Sequence, residues 1–388
     1  MRFEFATATR IIFGPDTVSE ATSISGEMGK RAFVVTGSTV ERAEPLLELL
    51  GEQGTDYVTF NVSGEPTTTV AAEAVQAARQ AGCDLVISIG GGSVLDTGKV
   101  VAAMLSNSGE LEDYLEVVGA GQKLKLSAAP HIAIPTTAGT GAEVTRNAVL
   151  SVPENRIKVS MRSPFMLPRL AVVDPVLTHS MPPAITASTG LDALTQLLEV
   201  YVSGQANPLT DGICREGLCR AGRSIRRAYE DGNDHEARED MALASLFSGL
   251  GLANAKLGAV HGFAGPLGGM YPVPHGVICA RLLPFVMEAN VQALRQRNAN
   301  SPALAKYDEV ARILIGNGSA NAADVVTWVR ELCLALKVPS LAGFGLQQQD
   351  FQTIAAKAKK SSSMKGNPIE LTDNELLNII RAANIETA

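Results

Sequence analysis

The sequence has few of the features that would tie it to an oxidising compartment, a nucleic acid or a membrane. Cysteine is sparse: Cys83, Cys214, Cys219, Cys279 and Cys333 are an odd number, widely scattered, with no Cys-x-x-Cys pair. That spacing argues against a disulfide framework and leads to the expectation of a reducing, cytoplasmic setting. Excess positive charge is lacking. A formal net charge of −7 disfavours nucleic acid as a partner, since phosphate contacts need clustered Lys and Arg. The one arginine cluster, Arg220 to Arg227, has helical spacing and reads as a solvated helix face. Met1 to Arg10 carries no apolar run of the signal-peptide kind. One stretch, Leu257 to Ala280, contains no Asp, Glu, Lys or Arg and has the length of a membrane span. It also holds Pro266, Pro272, Pro274, several glycines and two histidines. We therefore expect a buried, broken segment and no membrane partner. There is no internal repeat, no low-complexity tract, no GxGxxG and no HExxH.

With 46% hydrophobic and 19% charged residues in 388, a folded chain of about two domains is expected. Residues 1–180 alternate short β-branched runs with helical patterns. Arg31 to Thr36, Tyr57 to Phe60, Asp84 to Ile89, His131 to Ile134 and Leu170 to Val173 read as strands. Val40 to Glu52, Thr68 to Gln80 (capped by a threonine of Thr67–Thr68–Thr69) and Val94 to Ala103 read as helices. The uninterrupted apolar run of Asp84 to Ile89 suits a parallel strand buried on both faces. The alternation implies βαβ units and a parallel, Rossmann-like sheet. Pro182–Pro183 mark a break. Residues 181–388 show helical patterns at Ala187 to Val202, Pro208 to Tyr229, Glu236 to Leu252, Ala322 to Leu336 and Asp373 to Ala383, and no convincing strand. The expected fold is an α/β domain over 1–180 followed by an all-helical domain over 181–388.

Two loops follow strands. Gly90–Gly91–Gly92–Ser93 ends one strand and opens a helix. Glycines there admit a pyrophosphate, and the helix N-terminus offers free N–H groups and a positive dipole end; a tight structural turn is the other reading. Asp96 and Lys99 lie one turn further, where a charged side chain more often belongs to a solvated face. Pro135 to Gly141 (PTTAGTG) supplies three threonine hydroxyls near a close-approaching backbone. Paired loops at the carboxyl ends of strands suit a nucleotide. In the second half, only a few histidines exist to be placed. His261 and His275 each precede a glycine in the uncharged stretch, and Asp192 sits on an apolar helix where a bare carboxylate is costly. One Asp and two His suit a three-ligand divalent metal site with an open position. Taken singly, a histidine in such a place is more often a satisfied core residue than a ligand.

These stretches together resemble the iron-containing (group III) alcohol dehydrogenases, of dehydroquinate synthase-like fold. The matching runs are Gly90 to Ser93 with Asp96 and Lys99, Pro135 to Thr145 (PTTAGTGAEVT), Asp174–Pro175 and Met181–Pro182–Pro183. They continue with Thr186 to Leu194 (TASTGLDAL), Asn207 to Asp211 (NPLTD), His261–Gly262, Pro274–His275–Gly276 and Asn367–Pro368. The resemblance implies a dinucleotide-binding domain and a helical metal and substrate domain with the active site in the cleft between them. It implies hydride transfer between a small alcohol or aldehyde (or ketone) and a nicotinamide cofactor, and a homodimer. A divalent metal would polarise the substrate oxygen. By position, Asp192, His261 and His275 match three of four metal ligands and so are the expected catalytic centre. Gly91, Gly92, Ser93, Asp96, Thr136, Thr137, Thr140, Thr145, Asn147 and Lys158 match cofactor-lining positions.

The chain departs from that pattern in three places. The fourth ligand, a His in the iron enzymes, is Gln196, whose amide oxygen would favour Fe(II) less than imidazole does; zinc is therefore expected over iron. A further His, thought to assist proton transfer, is replaced by Gly265. The first strand ends at Gly37 where NAD-preferring relatives carry Asp. Without that carboxylate, and with Ser38, Thr39 and Arg42 nearby, NADP is expected over NAD, unless Gly37 serves only a tight turn. Competing readings are a metal-independent enzyme like maleylacetate reductase, a lyase of the dehydroquinate synthase type, and a non-catalytic dinucleotide-binding relative.

Overall fold

The computed structural model describes residues 2–385, which form two compact units. One runs from Ala6 to Ser180; the other starts at Met181 and also takes in the stretch ending at Phe5. Each is described by itself.

The first unit is built on a six-stranded, all-parallel sheet. Its strands are β1 (Arg10–Phe13), β2 (Arg31–Gly37), β3 (Asp56–Val62), β4 (Leu85–Gly90), β5 (His131–Pro135) and β8 (Leu170–Val173), in the spatial order β1-β8-β5-β4-β2-β3. A small antiparallel pair, β6 (Asn147–Val152) and β7 (Ile157–Arg162), stands apart from it. β2 and β4 are apolar on both faces because both are covered. Ala32, Val34, Leu85, Ile87 and Ile89 pack with Ala21 of α1 (Val18–Met28) and with Leu46 and Leu50 of α2 (Glu44–Glu52). Phe33, Val35 and Val86 pack the other way. They meet Ala71, Ala74 and Ala78 of α3 (Thr68–Gln80) and Val100 to Met104 of α4 (Gly92–Ser106). Thr67 caps α3, its hydroxyl accepting from the Val70 N–H at 3.1 Å. The helix expected over Val40 to Glu52 is divided. A 3₁₀ turn at Val40–Arg42 precedes α2, because Pro45 has no N–H to continue the first segment.

The chain leaves β2 toward one edge of the sheet and β4 toward the other. Their carboxyl ends, with that of β5, therefore flank the point where strand order reverses, the usual place for a ligand in such sheets.

The second unit is helical among the described residues: α6 (Pro183–Val202), α7 (Pro208–Glu230), α8 (His235–Asn254), α9 (Ala259–Met270), α10 (His275–Arg297), α11 (Pro302–Ile315), α12 (Ala322–Ala335), α13 (Phe351–Lys360) and α14 (Asp373–Asn384). A four-residue helix, α5 (Leu111–Tyr114), belongs to the first unit. The uncharged stretch is broken, as expected, between α9 and α10. α10 has the length and apolarity to cross a bilayer, but 72% of its most apolar window is buried against the rest of the protein. The arginine cluster on α7 lies on a largely exposed face, as its spacing suggested, and is ion-paired. Arg220 and Arg223 both reach the buried Asp240 of α8, at 2.7 and 2.6 Å, and Arg227 bonds Asp234 and Glu236.

Candidate metal and nucleotide sites

Three helices converge on four side chains. Asp192 lies mid-way along α6, His261 in the first turn of α9, and His275 and Cys279 one turn apart at the start of α10. Their ligand atoms all lie within 4.8 Å of one another. Helix spacing accounts for the pairing on α10, since residues four apart share a face. Gly276 accounts for its approach to α6: a Cβ there would stand 2.4 Å from the Ser188 carbonyl oxygen. His261 Nε2 is 3.4 Å and His275 Nε2 3.7 Å from Asp192 Oδ1. Cys279 Sγ is 3.6 Å from His261 Nε2 and 3.7 Å from His275 Nε2.

Asp192 is 1% exposed, and its Oδ1 accepts no hydrogen bond from the described residues. An orphaned buried carboxylate oxygen is costly. Two imidazole nitrogens and a thiol facing it make a donor set that fits a divalent cation. Burial would raise the Asp192 carboxyl, but His275, His261 and Cys279 together hold it below the ordinary carboxylate range. Burial pushes the Cys279 thiol up to about 12.

The buried Glu199 prepares His261. Its Oε2 accepts from His261 Nδ1 at 2.7 Å and its Oε1 from the Val260 N–H at 2.7 Å. With a proton on Nδ1 and none on Nε2, His261 would offer its Nε2 lone pair to a metal beside Asp192, the arrangement in which a carboxylate orients a metal-binding histidine. Gln196 lies beside Asp192 as well. It reaches the cluster, but its Nε2 donates to Asp192 Oδ2 at 3.1 Å while its Oε1 accepts from Ser248 Oγ at 3.0 Å. The amide oxygen that would bind a cation is occupied elsewhere. Sequence reasoning missed Glu199 and gave Cys279 no role in the site. The Cys279 signal was its spacing of four from His275.

In the first unit, three loops sit at the carboxyl ends of three adjacent strands: 37–39 after β2, 90–93 after β4 and 135–141 after β5. Gly91 stands at the N-cap of α4 with no side-chain cap, which leaves the first N–H groups of a 15-residue helix for a ligand. A Cβ on Gly90 would strike Val94 at 2.6 Å, and one on Gly92 would strike Thr140 at 2.9 Å. The two loops therefore interlock, with Thr137 against Gly91. Other candidates from the sequence are bound into the unit itself. Lys99 is not on a solvated face. It is fully buried and donates to Asp96 at 3.1 Å and to Thr145 Oγ1 and the Asn147 carbonyl at 2.8 Å each. The second Asp96 oxygen accepts from the Val149 N–H at 2.9 Å, and Lys158 pairs with Glu65 at 2.6 Å.

Likeness to known proteins shows the family of the chain. Residues 8–175 match the family described as iron-containing alcohol dehydrogenase, and residues 186–384 match the C-terminal domain of the same family. The chain belongs to the iron-containing alcohol dehydrogenase family.

It is 34% identical to alcohol dehydrogenase 4 of Saccharomyces cerevisiae, over 96% of this chain and 96% of that protein. It is 33% identical to 1,3-propanediol dehydrogenase of Klebsiella pneumoniae, over 98% of both. A crystal structure of a 1,3-propanediol oxidoreductase superposes with a TM-score of 0.91 at 32% identity, covering 99% of this chain and 100% of that one. This alcohol dehydrogenase is accordingly an NAD(P)-dependent, metal-using oxidoreductase with the dehydroquinate synthase-like fold.

Several of its family motifs do structural work. Asn207 caps α7 in a reciprocal box with Thr210. Asn367 Oδ1 accepts from the Ala259 N–H at 3.1 Å and so, with Glu199, closes the N-terminus of α9 that presents His261. A Cβ at Gly265 would meet nothing within 4 Å, so this position borders open space.

Proposed function

We propose that this chain interconverts small alcohols and their aldehydes or ketones, with NADP(H) preferred and the metal held by Asp192, His261 and His275. The observation that carries the reading is Asp192 Oδ1, buried, accepting no hydrogen bond among the described residues, and faced by two imidazole nitrogens of which one is oriented by Glu199. A divalent metal held there would supply Lewis-acid polarisation of the substrate oxygen. Zinc suits the site better than iron, because Gln196 brings no fourth imidazole. The dinucleotide is assigned to the Ala6–Ser180 unit, at Gly91, Gly92 and Ser93 with Thr136, Thr137 and Thr140. Asp96, Thr145, Asn147 and Lys158 are assigned to the same site, beside the bonds with Lys99, Val149 and Glu65 already described.

The preference for NADP rests on Gly37. Its φ lies outside the left-handed region, and a Cβ there would make only an ordinary 3.8 Å contact with Val94. Neither strain nor crowding demands glycine, so the missing carboxylate is better explained by the ligand. Ser38 and Thr39 are exposed beside it, and Arg42 follows, bonding the Ser180 carbonyl at 3.1 Å. The five free cysteines support a reducing cytoplasm, and the resemblance supports a homodimer.

A panel of short aldehydes and alcohols assayed with both cofactors tests this. NADPH should exceed NADH in kcat/KM by at least about tenfold, and Gly37→Asp should reverse that order, since a 2′-phosphate would meet a carboxylate. Dialysis against a chelator should cost at least roughly a hundredfold in rate, restored by zinc. Full activity after chelation would instead favour a metal-independent reductase.

A further inference from the structure

Cys279 is the residue that the metal reading leaves unused. It occupies the fourth corner of the cluster, fully buried, on the same face of α10 as His275. Its distances carry information. Zinc bonds of about 2.3 Å to sulfur and about 2.0–2.1 Å to nitrogen or oxygen set tetrahedral edges of about 3.6 Å for S···N and about 3.4 Å for N···O. The structure has 3.6 and 3.7 Å for Cys279 Sγ to the two imidazole nitrogens, and 3.4 and 3.7 Å for those nitrogens to Asp192 Oδ1. The nitrogen–oxygen distances are too long for good hydrogen bonds, and all four lie close to the edges of a coordination polyhedron. Meanwhile Gln196 presents its NH₂ to Asp192 and gives its oxygen to Ser248.

We propose that the Cys279 thiolate is the fourth ligand of this site, making an Asp–His–His–Cys set, and that Gln196 is a positioning residue that aims Asp192. The proposal rests on the metal reading above. On metal entry the thiol loses its proton to solvent and the S–M bond forms; no oxidation is involved. Two anionic ligands, Asp192 and Cys279, then balance the dication, with both histidines neutral. Thiolate is soft, so the set selects zinc over iron or magnesium. Four protein ligands still admit a substrate oxygen, because zinc expands to five-coordination. The side chain of His275, 37% exposed, marks the open side of the polyhedron.

The test is X-ray absorption at the zinc edge on the full-length, zinc-loaded protein, with elemental analysis of the same sample. The expected result is about one zinc per chain and a sulfur shell at about 2.3 Å. That shell should persist in Cys219→Ser, which removes the exposed thiol, and vanish in Cys279→Ser. Cys279→Ser should also weaken zinc binding by at least about tenfold in a competition titration. If Cys279→Ser fails to fold, the wild-type and Cys219→Ser spectra still decide. Stoichiometric zinc with only nitrogen and oxygen neighbours overturns the thiolate ligand and leaves the metal reading standing. No zinc in any sample overturns both.

Discussion

At the scale of single residues, burial decides most of the chemistry. His131 ends up under the sheet because Gly98 lets α4 approach β4 and β5: a Cβ at Gly98 would stand 1.8 Å from Ser88 Oγ and 3.0 Å from His131 Nε2. Ser88 Oγ lies 3.0 Å from that nitrogen, and the other, Nδ1, has no partner among the described residues. Burial, with the nearby Lys99 ammonium, lowers the imidazole from 6.5 to about 3. A base with a depressed folded-state value takes up more protons when unfolded. Its contribution to stability is thus complete above about pH 6.5 and is lost progressively as the pH falls toward 3. Denaturant unfolding of the Ala6–Ser180 unit should therefore show a loss on the order of 2 kcal/mol between pH 6.5 and pH 5. That slope should be absent in His131→Gln. An equal slope in the variant would assign the effect to other groups.

At the scale of elements, the metal cluster depends on how helix ends are closed. The N-terminus of α9 would leave N–H groups unsatisfied, and Glu199 and Asn367 take two of them. Gly258 makes room, since a Cβ there would lie 2.9 Å from Glu199 Oε1 and 3.0 Å from Asn367 Oδ1. In Glu199→Gln the amide oxygen must still accept from the Val260 N–H. The NH₂ then faces His261 Nδ1, moves the proton to Nε2 and closes the lone pair offered to a metal. We expect metal affinity to fall about 10- to 100-fold with the fold intact, as read by competition with a chromophoric chelator. Unchanged affinity would show that Glu199 only caps the helix.

The same elements show what could be read from the chain. Leu170–Val173 and Thr68–Gln80 are found within the bounds expected, because a continuous apolar run and a threonine cap are local signals. β1 was missed: Arg10–Phe13 is only four residues long and becomes a strand by pairing with β8, over 150 positions away. The β6–β7 hairpin was missed because its residues also fit a loop. Asp192, His261 and His275 were legible as scarce residue types in apolar surroundings. The burial of Lys99, the turning of Gln196 toward Asp192 and the approach of Cys279 were not, since each depends on how separate elements pack.

At the scale of the whole molecule, the residues proposed for the two chemistries lie in separate units. The glycine- and threonine-rich loops lie within Ala6–Ser180, and every candidate metal ligand lies beyond Met181. Metal loading and nucleotide binding are therefore separable by mutation in the intact chain. The central claim is that Asp192, His261 and His275 hold a metal. The most direct measurement is elemental mass spectrometry on untagged, chelator-free protein and on Asp192→Ala and His261→Ala, with NADP(H) binding followed on the same samples. The account predicts about one divalent ion per wild-type chain, loss of that ion in both variants, and retained nucleotide binding in all three. An ion kept by both variants, or none in the wild type even after incubation with zinc and iron, would contradict it.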